Sequence, residues 1–248
     1  MGSGHVGAIG IPAGDRGHQL RALMALAARA TSLGDGGGAS VIATTDPSGA
    51  RMSFTLDARG SIECVTPSFA GATEVDAVVG SFAPNDCPYE TPLLVEVLDA
   101  SSEEAHPLAL QVEDLAISRD SYRPGERVRL HVTAIAETCD VFPDEAAYRA
   151  SGTPMAVQSL IPSGLFAPGA GSATDPWVVA PRALISGTVR SAERLVNQTV
   201  GGAFVHLVVD SYANAYDVVV DGADMDDLPA VGSILSGQFW LACRRVAR

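Results

Sequence analysis

Five side chains near the end of the chain have the chemistry of a base-stacking surface, and they are Arg190, Phe204, His206, Tyr216 and Trp240. Aromatic rings on barrel strands stack single-stranded bases, and a neighbouring arginine adds charge. Residues 181–248, however, contain seven Asp and Glu against six Arg, a balance of −1. Because nucleic-acid binding draws on a basic surface, we expect nucleic acid to be an unlikely partner. Single-stranded nucleic-acid binding is therefore an alternative function only, and the same rings can instead be core or interdomain contacts.

The middle of the chain carries nearly all the excess charge. Between residues 74 and 145, sixteen Asp and Glu stand against four Arg, a balance of −12 in a chain of net charge −13. A field of this sign attracts basic proteins or cations and repels phosphate backbones. The predicted contact surface consists of Glu90, Glu96, Asp99, Glu103, Glu104, Asp140, Asp144 and Glu145.

This charge placement favours a non-enzymatic interaction protein that recognises a basic protein partner, as an immunity or inhibitor protein meets a basic toxin. Two other interpretations stay open. The acidic residues can simply keep the protein soluble. An enzyme can also assemble its site from residues scattered between two β units, here with His131 or His206.

The motifs that would indicate an enzyme or a metal site fail on their context. Residues 2–7 spell GxGxxG, but only Met1 precedes them, whereas a dinucleotide site needs a preceding strand. The five histidines are not spaced as metal ligands, and the acids of residues 221–227 do not follow the calcium-loop spacing. All sixteen basic residues are arginine, which excludes lysine-dependent sites such as Schiff-base enzymes and P-loop NTPases. We predict no catalytic residue, no cofactor and no metal.

Cysteine spacing and hydropathy indicate the compartment. The four cysteines lie far apart and form no CxxC pair, which fits a reducing environment and excludes a zinc ribbon. No apolar run reaches the roughly 18 residues of a membrane span. Leu20–Ala30 imitates a signal peptide, but its apolar core between Arg21 and Arg29 is short, and its spacing also fits an amphipathic helix. We expect a cytoplasmic protein, and the arginine-only composition is typical of a GC-rich bacterial genome.

The elements that must position these residues are mostly strands. Period-two alternation predicts a mainly β fold, α+β by content. A helix is expected over Gly17–Leu33, a meander over Ser40–Thr45, Arg51–Asp57 and Ser61–Thr66, and a short helix over Asp144–Ala150. The other strands are expected at Leu93–Leu98, Pro107–Val112, Glu126–Glu137, Ala183–Leu195, Ala203–Asp210, Ala215–Asp221 and Ile234–Cys243.

Composition divides the chain into four parts. Residues 1–36 are a flexible arm and helix, 37–150 an acidic β-rich domain, 151–180 a Gly/Pro-rich connection and 181–248 a small OB-like antiparallel barrel. Only four strands are clear where such a barrel has five; the fifth comes from splitting Ala183–Leu195, from residues before Pro181, or does not exist. The strand order of residues 93–137 also resembles that of 203–243, which indicates two related β units or chance similarity of meanders.

The faces of the last barrel follow from the alternation. In the last strand Leu235, Gly237, Phe239, Leu241 and Cys243 share the expected core face. Val205, Leu207 and Val209 share the corresponding face of an earlier strand. The opposite face carries the rings of the proposed stacking surface, which form an exposed platform unless they serve as core or interdomain contacts.

Overall fold

The computed structural model describes residues 4–12, 14–100, 102, 104–163 and 179–246. The chain is mainly β, with 50% strand and 12% helix, as predicted. Four short helices are α1 (Gly4–Gly7), α2 (Arg16–Ala27), α3 (Leu115–Ser118) and α4 (Glu145–Ala150). The strands are β1 (Thr31–Gly36), β2 (Ala39–Thr45), β3 (Ala50–Leu56), β4 (Ile62–Phe69), β5 (Val75–Phe82), β6 (Leu93–Leu98), β7 (Ala105–Val112), β8 (Arg127–Phe142), β9 (Ser159–Pro162), β10 (Arg182–Val196), β11 (Ala203–Asp210), β12 (Ala215–Asp221) and β13 (Ile234–Arg245).

The first four strands form an antiparallel meander in the order β1-β2-β3-β4. The turn at residues 46–49 joins β2 to β3, with Gly49 at a φ of 88° that other residues rarely adopt. The helix before the meander ends at Ala27 instead of Leu33, because Thr31–Gly36 pairs with β2. Gly37 and Gly38, both with positive φ, form the tight turn of the β1–β2 hairpin.

The other nine strands form one mixed sheet whose pairings close two rings. In the first ring, β5, β6 and β7 are consecutive antiparallel neighbours, and β13 and β8 complete the circuit. In the second ring, β10, β11 and β12 are consecutive antiparallel neighbours, and β8 and β13 complete the circuit. The long strands β8 and β13 thus belong to both rings and pair with each other between them.

The two rings repeat the same pairing pattern. The third strand of each pairs in parallel with the long strand of the other half: β7 with β13, and β12 with β8. The first strand of each pairs antiparallel with its own long strand: β5 with β8, and β10 with β13. The repeat of strand order read from the sequence is therefore present in the hydrogen bonding, and each half closes its ring with a strand from the other.

The shared strands bear on the predicted division at 151–180. The nine-stranded sheet takes strands from both sides of that segment, so a split into two domains is not confirmed. Residues 164–178 lie outside the described part of the chain. Within the described residues, no helix combines the length and the apolar character needed to cross a membrane.

Two apolar cores result from this arrangement. The first lies inside the rings and includes the predicted core residues Val205, Leu207, Val209, Leu235, Phe239, Leu241 and Cys243. The second lies between the outer face of the rings and the meander with its helices, where Met52, Phe54 and Phe69 pack with Phe204 and Val219. The outer face of the rings is thus covered by a second layer.

Candidate functional site

A pocket of about 310 Å³ lies at the edge of the second layer. Its wall combines Trp240 of β13, Arg182 of β10 and Glu137 of β8 with residues of the meander and of α1. The full lining is His5, Val6, Cys64, Val65, Thr66, Pro67, Glu90, Gln111, Glu137, Arg182 and Trp240. A concave site with an apolar wall and a few polar groups is typical of small-ligand binding.

A β-bulge positions Glu137 in this pocket. In the pairing of β8 with β13, Ala136 is opposite Phe239 and Thr138 is opposite Gln238, so Glu137 is the extra residue. A bulge of this kind re-aims a side chain and bends its strand. Next to it, a Cβ on Gly237 would lie 2.0 Å from the carbonyl oxygen of Thr138, so the close approach of the two strands requires glycine.

The Glu137 carboxylate is the centre of a hydrogen-bond network. Arg182 Nε donates to Oε1 at 2.9 Å, His5 Nε2 lies 2.9 Å from the same oxygen, and Gln238 Nε2 donates to Oε2 at 2.9 Å. Burial opposes ionisation of Glu137, but the Arg182 and His5 hydrogen bonds outweigh it and lower the pKa. Arg182 therefore compensates the Glu137 charge while its guanidinium carbon lies 5.3 Å from the centre of the Trp240 ring system.

Gln111 presents an unpaired acceptor at the pocket. Its side-chain amide donates to the carbonyl oxygen of Tyr89 at 3.2 Å, which fixes the amide orientation. The residue is 3% exposed, and no donor among the described residues reaches its Oε1. An unsatisfied buried acceptor costs about 1–3 kcal/mol.

Glu90 provides the second acceptor of the pocket. Its carboxylate accepts a hydrogen bond from the Cys64 thiol at 3.4 Å and makes no ion pair with any described residue. Burial, with the Glu90 charge adding to it, raises the pKa of Cys64 to about 12. Cys64 is therefore a thiol donor, not a thiolate nucleophile.

A second polar cluster ties the two layers together away from the pocket. His206 Nδ1 lies 2.9 Å from Glu193 Oε1, and His206 Nε2 lies 2.7 Å from Asp217 Oδ1. The backbone N–H and hydroxyl of Thr73 both donate to the other oxygen of Asp217. Phe69 stacks on the imidazole with ring centres 4.1 Å apart. This histidine is therefore a buried structural cation.

The predicted stacking surface is not an exposed platform. Phe204 is 0% exposed beneath Phe69, Tyr216 is 1% exposed inside the ring core, and His206 is buried in the polar cluster. Trp240 is half-buried beside His5, and Arg190 is exposed but pairs with Asp210. The meander covers Phe204 and His206 on the outer face of the strands, whereas Tyr216 lies on the inner face, so the expected grouping of these rings on one exposed face is wrong.

The predicted acidic residues fall in three places. Glu90 lines the pocket; Glu96, Asp99 and Glu104 lie on the β6–β7 hairpin; Asp140, Asp144 and Glu145 lie at the end of β8 and the start of α4. All are exposed except Glu90 and Asp99, which are partly buried. Asp144 caps α4 by accepting from the backbone N–H of Ala147. Glu103 lies outside the described residues.

The remaining candidates stay apart from the pocket. His131 Nδ1 lies 3.1 Å from the carbonyl oxygen of Thr73, and neither His131 nor His206 lines the pocket. On the β6–β7 hairpin, potential ligand atoms of Asp99, Glu104 and His106 lie within 4.8 Å of one another. Glu104 also accepts a hydrogen bond from the Tyr212 hydroxyl at 3.3 Å.

Sequence reasoning missed most of the pocket. Its lining residues come from seven separate segments between residues 5 and 240, so no spacing pattern connects them. Two predicted site residues do line it, namely Glu90 of the predicted acidic surface and Trp240 of the predicted stacking surface. A comparison with known proteins finds no matching family model and no significantly similar curated protein.

Proposed function

We propose that this chain is a non-enzymatic acidic binding protein that recognises a basic protein partner. The observation that carries the proposal is the set of exposed carboxylates at Glu96, Glu104 and Asp140, which make no ion pair with any described residue. Uncompensated surface charge of one sign steers a partner of the opposite sign and speeds association.

The test is recovery of partners from the native host, followed by measurement of the association rate at two salt concentrations. Neutralising the surface with Glu96→Gln, Glu104→Gln and Asp140→Asn should slow association by about tenfold or more at low salt. A matched control removes three exposed charges elsewhere, with Glu63→Gln, Asp226→Asn and Asp227→Asn, and should change the rate less. Failure to recover a basic partner, or association indifferent to salt, would count against the proposal.

We also propose that each ring is an OB-type barrel. Support comes from the closed circuit of five strands and, in the first ring, from the helix α3 between the third strand and the long strand. In this proposal, the fifth strand missing from residues 181–248 is β8, which lies before Pro181.

OB-type barrels often bind single strands, so nucleic acid is the second candidate. The buried rings of Phe204 and Tyr216 give this candidate little support. We expect a fluorescence-anisotropy titration with a labelled single-stranded oligonucleotide at low salt to show no binding; saturable binding would favour it over the protein partner.

A reducing, cytoplasmic location is part of the proposal. All four cysteines are free thiols, as is usual where glutathione and thioredoxin keep thiols reduced.

A further inference from the structure

We propose that the pocket beside Trp240 binds a small organic cation, an amidinium or guanidinium group carried on an apolar body. This inference is independent of the basic protein partner, because it concerns a half-open pocket and a free small molecule.

The pocket offers acceptors that lack matching donors. Gln111 Oε1 is buried and has no donor among the described residues, and the Glu90 carboxylate has only the Cys64 thiol. Both residues line the same cavity. A ligand that fits brings N–H groups to the partly exposed Glu90 carboxylate, and the buried Gln111 Oε1 accepts from it only where the wall opens.

The charges of the pocket favour a cation. Arg182 is held by Glu137 at 2.8 Å, so these two charges compensate each other. Glu90 is left as the carboxylate without a paired cation among the described residues. A planar amidinium presents several N–H donors to a carboxylate and an amide oxygen, and such charge-assisted hydrogen bonds are the strong ones.

The rest of the wall accommodates an apolar body. Val6, Val65, Pro67 and Trp240 contribute the apolar part of the lining, and the volume of about 310 Å³ suits a small ligand. A site of this kind fixes orientation through a few polar groups and gains affinity from the apolar contact.

The direct test is a calorimetric titration with benzamidinium and with benzamide, its uncharged analogue of the same shape. Benzamidinium should bind about tenfold or more tightly than benzamide, since only the cation makes charge-assisted bonds. Glu90→Gln should abolish this preference, while Glu96→Gln, an exposed acid outside the pocket, should retain it. Equal binding of both probes, no binding of either, or an unchanged preference in Glu90→Gln would overturn the proposal.

Two further measurements guard against misfolding and identify the source of the cation. Val65→Phe fills the cavity without touching a charge, and it should abolish binding while circular dichroism stays unchanged. N-acetylarginine amide presents the cation as a peptide side chain does. If N-acetylarginine amide binds more weakly than benzamidinium, the ligand is a free small molecule, as proposed. If it binds more tightly, the ligand is instead an arginine side chain of another protein, and the proposal of a free small molecule fails.

Discussion

His206 forms a charged cluster with Glu193 and Asp217 inside the second ring, and Phe69 of the meander stacks on its imidazole. Burial lowers the pKa of an imidazole, but at His206 the hydrogen bonds with Asp217 and Glu193 outweigh burial, and the pKa is raised. Burial of Asp217 is likewise outweighed by hydrogen bonds from His206 and Thr73, and the pKa of that carboxyl is lowered. Both shifts favour the charged forms. The ion pair between His206 and Asp217 therefore persists from below the ordinary pKa of Asp217, 3.8, to above the ordinary pKa of His206, 6.5.

We expect the His206 contribution to stability to disappear at high pH. This stabilising contribution is complete below pH 6.5, which is the ordinary pKa of the His206 imidazole in the unfolded chain. It is lost as the pH rises through the raised pKa of the folded state, because the unfolded chain releases the proton first. Urea denaturation from about pH 6 to about pH 9 should show the free energy of unfolding falling in the wild type and staying flatter in His206→Gln.

The control for this measurement is the exposed His18. His18→Gln should keep the wild-type slope, because His18 makes no carboxylate contact of this kind. Parallel curves for wild type and His206→Gln would show that the buried ion pair does not drive the pH dependence. On the acid side, the Asp217 contribution is complete above 3.8 and is lost as the pH falls through its lowered pKa.

At the scale of elements, the turn between β2 and β3 is attached to the loop after β10 by one carboxylate. Asp46 is buried and accepts from Ser48, Gln198 and Thr199. Asp46→Ala removes the hydrogen bonds of these partly buried or exposed donors to a buried carboxylate and should lower the free energy of unfolding by about 1–3 kcal/mol. Chemical denaturation measures this loss of stability. Asp35 is exposed, so Asp35→Ala is the control and should change the free energy of unfolding little.

The bulge in the β8–β13 pair gives another prediction for an element. Gly237→Ala places a Cβ 2.0 Å from a backbone oxygen that cannot move aside cheaply. We expect a loss of about 1–3 kcal/mol, measured as a lower denaturation midpoint. Gly17→Ala in α2, where a Cβ meets only ordinary contacts, should be neutral or stabilising. A neutral Gly237→Ala would mean that the two strands can separate locally at the bulge.

The strands of this fold were largely predictable, since alternation marks a strand with two distinct faces. Val75–Phe82 (β5) and Ser159–Pro162 (β9) were not predicted as strands, and β1 escaped prediction because its sequence TSLGDG lacks alternating apolar residues. It forms because it pairs with β2 and passes close to α3, where a Cβ on Gly36 would lie 3.0 Å from the carbonyl oxygen of Ala116. Alternation also predicts that Phe204 and Val205 lie on opposite faces of β11. It does not reveal that the meander, about 150 residues earlier in the chain, covers the outer face of that strand. The pocket escaped for the same reason, because its wall exists only once the layers have met.

At the scale of the whole molecule, the shared strands predict a single unfolding transition. Leu108 of the first ring and Leu207 of the second are both fully buried in one continuous core. Leu108→Ala and Leu207→Ala should each destabilise by about 2–5 kcal/mol.

Both substitutions should shift one common transition, seen together by tryptophan fluorescence and far-ultraviolet circular dichroism. Separate transitions, with each substitution moving only one of them, would instead support two independently folding domains.

The exchange of long strands also has a consequence for synthesis. A nascent chain emerges from its N-terminus, yet both rings need β13, which follows all the other described strands in chain order. Until then β5–β8 and β10–β12 can pair only as open sheets with unpaired edges, which are prone to aggregate. Neither ring can close before β13 has left the ribosome, so both closures are late folding steps.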